Sequence, residues 1–229
     1  KFLKYNLVII CTGSSSAITK NFLGNKYSQH SYNEVSAVTV IKHKFVKNNI
    51  ARQYFLAEGP LALLPISNTQ TSIVWSIKKN FLSKIKINND LFLKKKLNNI
   101  IKKVYSNIEF MPKFEYNNLN FHISHKYFNN RELILGDALH SIHPIVGQGF
   151  NMIIRDIIKL EEVIKKQINL GLDVGDTLAL SKFTDNTKPN NFIYSAGTEI
   201  IKKLFSNNNI PFKVIRNSFL RSINDNQKV

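Results

Sequence analysis

The sequence predicts an α/β (α+β) chain. Short apolar strands with small-residue or glycine turns lie on either side of a mainly antiparallel β-sheet region, and a helical segment ends the chain. Three observations carry this. A short, continuous apolar run, Leu7-Val-Ile-Ile-Cys11, leads into a small-residue turn, Thr12 to Ser16, the pattern of a buried strand meeting a loop at a sheet's carboxyl edge. Between Thr71 and Lys78, Ile73, Trp75 and Ile77 alternate with Ser72, Val74 and Ser76, which is the period of a strand with one covered face. A second apolar run, residues 131–137, ends on Gly136-Asp137, and the turn Gly147-Gln148-Gly149 then opens a long amphipathic pattern. The expected organisation is 1–34 and 129–185 for the α/β layer, 35–128 for the inserted sheet with a helix, and 186–229 for the helical end.

The elements follow in order. Residues 5–11 are expected as a strand buried on both faces, with Cys11 an inert apolar residue in it, and a short helix should then end near Gly24. From about residue 35 the period changes to two, with Ala37, Thr39 and Ile41 alternating with Val38 and Val40. Residues 51–56 read as extended, and Gly59-Pro60 as the turn before Leu61 to Pro65. Leu93, Leu97, Ile100, Ile101 and Val104 give 80–106 a helical spacing, and an extended stretch runs on through Phe121 and Ile123. After Gly149, Ile153, Ile157, Leu160 and Ile164, widened by Ile154 and Ile158, predict the inward stripe of a helix that stops at Gly171. Residues 177–205 read as helical with an interruption at Pro189, and Asn207 to Asn209 as a loop.

Composition narrows the function classes. A chain of 229 residues with 43% hydrophobic residues has enough apolar material for a core, and a mean hydropathy of −0.16 argues against wholesale disorder. No apolar run approaches the roughly 20 residues that span a bilayer. One cysteine excludes an internal disulfide framework and suits a reducing compartment. The start, Lys1-Phe-Leu-Lys-Tyr5, lacks an initiator Met and a signal-peptide core, so a longer parent chain is expected. The 32 basic against 15 acidic residues leave +17, a charge that invites nucleic acid or an anionic membrane. The lysines of Leu93 to Val104 nevertheless follow a helix pattern rather than aromatic platforms, so no specific nucleic acid is expected as a partner.

The chemistry concentrates in Leu133 to Asp156. A carboxylate at a strand's carboxyl end can accept hydrogen bonds from sugar or polyol hydroxyls. Glycines 147 and 149 let backbone N–H groups approach a planar ligand, and the helix that follows aims its positive end there. This arrangement suits a flavin, whose reduced ring carries negative charge. Gly136-Asp-Ala-x-His-x-x-His-Pro-x-x-Gly-Gln-Gly-x-Asn151, followed by Arg155-Asp156, resembles the second FAD-binding motif of class A flavoprotein aromatic hydroxylases, most closely the ubiquinone-biosynthesis (UbiH/UbiF type) branch. Gly59-Pro-Leu-Ala-Leu-Leu-Pro65 with Ser72-Ile-Val-Trp75, then Leu172 to Asp176, and then Leu204 to Asn209 with Arg216-Asn217 resemble further stretches of that branch.

The resemblance implies a partial FAD-binding domain of the p-hydroxybenzoate-hydroxylase type with an inserted substrate domain. Asp137, next to Gly136, would contact the ribityl chain. Pro144 would lie beside the isoalloxazine, and Gly147, Gln148, Gly149, Phe150 and Asn151 would line the flavin. The implied activity is hydroxylation of the ring of a polyprenylated phenol, with FAD as cofactor, NAD(P)H as reductant and O2 as co-substrate. The chemistry is the cofactor's, so no catalytic side chain is assigned. Other ubiquinone-biosynthesis proteins are expected partners, and the expected location is cytoplasmic, peripheral on the inner (cytoplasmic) membrane. Two departures stand out: no glycines have the G-x-G-x-x-G spacing that cradles the ADP half, and Thr12 stands where the family's middle motif carries an acid. The rival readings are a non-catalytic fragment of such an enzyme and a basic membrane-surface or nucleic-acid module.

Single residues also have plainer readings. His140 and His143, with no third ligand nearby, are expected to pack a loop rather than hold a metal. Arg155 and Asp156 fit either a solvated pair or a structural role in the motif. Trp75 is expected in the sheet core. The apolar and basic residues from Phe205 to Arg221 suit either a membrane surface or packing against the rest of the chain.

Overall fold

The computed structural model describes residues 4–85, 89–206, 209, 211–212, 214–218 and 221. In chain order its first elements are β1 (Val8–Ile10), α1 (Ala17–Leu23), β2 (Tyr27–Lys42), β3 (Arg52–Leu56), β4 (Gly59–Ser67), β5 (Gln70–Lys78), α2 (Lys79–Leu82) and α3 (Asn89–Ile101). There follow β6 (Glu109–Phe110), β7 (Glu115–Ser124), β8 (Phe128–Asn129), β9 (Glu132–Ile134), β10 (His140–Ser141), α4 (Gln148–Asn169) and α5 (Thr177–Ser206). The chain divides into two compact units, residues 31–119 and residues 1–30 with 120–229.

In the unit of residues 31–119, β2, β5, β4 and β3 are antiparallel neighbours in that order, and β6 pairs with β2. Ile73, Trp75 and Ile77 sit on one face of β5 with no exposed surface, as their alternation requires, together with Leu61 and Leu63 of β4 and Leu93, Leu97 and Ile101 of α3. Trp75 is core, and its Nε1–H donates to the Gly59 carbonyl at 3.3 Å. The expected turn at Gly59-Pro60 is displaced. The turn is Ala57-Glu58, and Gly59 already belongs to β4. Gly59 has φ +140°, and a Cβ there would lie 1.9 Å from the Ser76 carbonyl oxygen, so only glycine admits this approach of β4 to β5. The helical stretch 80–106 divides into α2 and α3.

In the other unit, β1 lies parallel to β9, with Val8 opposite Glu132 and Ile10 opposite Ile134, and β8 pairs antiparallel with β9. The expected burial of β1 on both faces does not hold. Ile10 is buried, but Ile9 is exposed, and Cys11, one residue beyond the strand, is exposed as well. Partial desolvation still raises the Cys11 thiol pKa. Helix α1 begins at Ser16, whose hydroxyl accepts from the Ile18 N–H, and ends at Gly24, as the sequence indicates.

Two helices differ from expectation. The buried face of α4 is Met152, Asp156, Leu160 and Val163; of the expected stripe Leu160 is buried and Ile153 and Ile164 are half-buried, while Ile154, Ile157 and Ile158 point outward. An inward carboxylate is admissible because two partners from other elements satisfy it, so the richest isoleucine stripe is not the inner one. Helix α5 runs through Pro189 without a break. Buried Phe183, Thr187, Asn191 and Ser195 continue one packed face across the proline, and packing of that face outweighs the missing N–H. Gly171, at φ +66°, follows the end of α4 as expected. Of the tail residues, Asn207, Asn208, Ile210, Lys213, Phe219 and Leu220 lie outside the described residues.

Candidate functional site

The site is built on the carboxyl end of β9. Leu133 and Ile134 are fully buried, which fixes the strand, and the Leu135 N–H donates to the Ile10 carbonyl at 3.0 Å. Gly136, at φ +71°, then bends the chain into a single 3-10 turn, Gly136–Ala138. That turn is held from several sides. The Leu139 N–H donates to Gly136, the Ser124 N–H to Leu139, and His122 Nε2 lies 3.1 Å from the Ala138 carbonyl. His122 is buried, and desolvation, first among the causes, lowers its pKa. Asp137 itself stays exposed, and its carboxylate accepts no hydrogen bond from any described residue.

A second 3-10 turn, Pro144–Val146, follows, with the His143 Nδ1 accepting from the Ile145 N–H at 3.1 Å. Gly147 closes it in the left-handed conformation, φ +65°, and α4 starts at the next residue. Among the described residues no side chain caps that start, so the first-turn N–H groups of a 22-residue helix are open to an anionic or polar group. Beyond Gly136 and Gly147 a Cβ would meet nothing within 4 Å, and beyond Gly149 only Ile142 at 3.9 Å. The Oε1 of Gln148 is buried with no partner among the described residues. Pro144, Phe150 and Asn151 are exposed around the same turn.

The sequence-derived residues Gly136, Asp137, Pro144, Gly147, Gln148, Gly149, Phe150 and Asn151 are thus all carried by the Gly-Asp turn, the turn after it and the start of α4, with open space at the glycines. The histidines are packing groups: His143 caps a turn, and His140 is buried against Asp156 with Nε2–Oδ2 at 2.7 Å. Arg155 and Asp156 part company, since Arg155 stacks over the Tyr194 ring at 4.3 Å while Asp156 faces inward. Thr12, in the place of the middle motif's acid, shares a 3.0 Å hydrogen bond with Thr19 of α1. Sequence reasoning missed His122, Tyr127 and Asn191, which reach this region from β7, from the segment before β8 and from α5. Their signal is burial of polar groups, which no local pattern displays.

A parallel strand ending in Gly-Asp, a left-handed glycine and an uncapped long helix define a dinucleotide-type flavin fold. The chain belongs to the family described as FAD binding domain, whose model matches residues 3–169. Among curated proteins it is 27% identical to the ubiquinone hydroxylase UbiL of Rhodospirillum rubrum, over 81% of this chain and 43% of that protein. It is 29% identical to the mitochondrial ubiquinone biosynthesis monooxygenase COQ6 of Dictyostelium discoideum, over 76% of this chain and 41% of that one. The chain therefore spans about half the length of the curated relatives it matches. Among solved structures, PqsL of Pseudomonas aeruginosa, described as a probable FAD-dependent monooxygenase, superposes with TM-score 0.69 at 18% identity, covering 88% of this chain and 57% of that one. A single-residue variant of HpxO from Klebsiella pneumoniae, complexed with FAD, gives 0.67 at 15%, covering 94% and 57%. The fold is shared with these flavoproteins.

The residues present fit the ring and ribityl half of FAD. The uncapped helix start and the open glycines leave backbone donors facing open space beside the exposed Asp137, and the Gln148 oxygen is a buried acceptor with no partner among the described residues. No G-x-G-x-x-G spacing in this sequence matches the ADP half.

Proposed function

We propose that the protein containing this chain is an FAD-dependent monooxygenase that hydroxylates the aromatic ring of a polyprenylated phenol in ubiquinone biosynthesis, using NAD(P)H and O2. The observation that carries the reading is the exposed Asp137 on a rigid Gly-Asp turn, beside the uncapped start of α4 at Gly147. The family match and the ubiquinone-hydroxylase relatives support the reaction class and the substrate.

When bound, FAD supplies hydride acceptance and O2 activation, and the protein supplies position and electrostatics. Asp137 would accept hydrogen bonds from the ribityl hydroxyls. The N–H groups at Gln148 and Gly149 and the positive end of α4 would stabilise negative charge on the reduced ring. Pro144, with no N–H of its own, would lie beside the ring, and Phe150 and Asn151 would line it. Peripheral membrane contact is part of the proposal. The +17 charge attracts anionic headgroups, and a prenylated substrate resides in lipid. No described helix is long and apolar enough to cross a membrane.

The test is made on the protein expressed from its natural coding region. It should carry a yellow chromophore released as FAD, and consume NAD(P)H and O2 in step with hydroxylated polyprenylphenol. NAD(P)H oxidation that never yields hydroxylated ring, or a protein that takes up no flavin, overturns the proposal.

A further inference from the structure

The carboxylate of Asp156 lies inside the unit, 1% exposed, on the inner face of α4. Its Oδ2 is 2.7 Å from His140 Nε2, and the Asn191 amide of α5 donates to both carboxylate oxygens at 3.1 Å. The same amide nitrogen lies 3.3 Å from the Tyr127 hydroxyl, a group whose pKa burial pushes up to about 12. Four polar side chains from four separate segments thus share one buried cluster. A buried carboxylate with a single partner is costly to keep, and each added donor both offsets that cost and fixes its plane. Facing a carboxylate, His140 carries its proton on Nε2, so ring orientation and tautomer are set together. His140 stands between the two turns that frame the flavin site, three residues after Asp137 and four before Pro144.

We infer that Asn191, acting through Asp156 and His140, is a positioning residue for the Gly136–Gly147 segment, so that α5 belongs functionally to the cofactor site. Asn191 lies 22 residues beyond the end of the family match at residue 169, and nothing in that match assigns it a role. The inference rests on the proposed flavin reading for what the segment holds, but not for the mechanical link. Helix α5 meets the Pro144–Val146 turn as well as α4, so the link runs through packed contacts throughout.

The experiment compares Asn191→Leu with Thr187→Val in the 229-residue chain. Thr187 is on the same buried face of α5, but its hydroxyl donates within the helix, to Phe183. Amide exchange is read at Leu139, Ile145 and Gly147, whose N–H groups hold the two turns. Asn191→Leu should speed exchange there by about tenfold more than Thr187→Val does, and shift the His140 ring-nitrogen resonances. The reciprocal exchange, Asp156→Asn with Asn191→Asp, keeps one donor against one acceptor and should restore most of the protection, a coupling that loss of stability alone does not produce. If Asn191→Leu fails to fold, Asn191→Ser and Tyr127→Phe should move the same amides in the same direction by less. Equal effects of Asn191→Leu and Thr187→Val, or loosening confined to α5, overturn the inference. None of these readings uses flavin. Loosened turns in a protein that never takes up FAD sink the proposed function and leave the positioning role, whereas unmoved turns in an FAD-binding protein sink the positioning role alone.

Discussion

At the scale of single residues, the two glycines that matter most do different work. Gly147 is left-handed with empty space beyond its Cα, so Gly147→Ala should cost only the conformational strain, about 1 kcal/mol, while weakening flavin binding. Gly59 has a carbonyl where a side chain would begin, so Gly59→Ala should lower stability by about 3 kcal/mol in a urea melt. Equal losses would mean that β4 and β5 are not so closely opposed. Gly147 was legible in the sequence because its motif is local. Gly59 looks like a turn residue from the sequence, because its true role depends on contact with a distant stretch of β5. His122 gives a pH signature. Its folded-state pKa lies below the unfolded value, so the unfolded chain binds the proton first as pH falls. The associated stability is present above about pH 6.5 and is lost as pH falls below that value and through the lower folded-state pKa. His122→Gln should remove this component of the pH–stability curve, and an unchanged acid limb in the variant would contradict it.

At the scale of elements, β9, its Gly-Asp end and the start of α4 could be read directly, because an apolar run, a glycine pair and a helical period are all sequence-local. The facing of α4 could not. Isoleucines outnumber the residues of its true inner face, and Asp156 there looks like a surface charge until His140 and Asn191 are placed beside it. The corrected facing is testable in the 229-residue chain. Met152→Ala should cost about 2–5 kcal/mol, and Ile157→Ala within about 0.5 kcal/mol. The reverse order would restore the stripe that periodicity suggested. The continuity of α5 through Pro189 has the same origin. A local breaker signal is overruled by a buried face that only tertiary packing reveals.

At the scale of the whole molecule, each of the two units has its own core, one around Trp75 and one around Leu133 and Phe183, and the residues proposed to hold flavin all lie in the second. The antiparallel sheet was legible from β5 outward because one face is covered and the alternation is clean. The +17 charge is spread along the whole chain and says nothing about the site, whereas one 21-residue stretch, Gly136 to Asp156, carries most of the functional information. The proposed function requires the Gly136–Asn151 segment to grip the ring and ribityl chain of a flavin. Amide exchange of the protein with and without saturating FAD probes that grip at each N–H. Protection should concentrate between Gly136 and Asn151 and be lost in Asp137→Ala. Protection elsewhere with that segment unchanged, or no uptake of FAD, would contradict it.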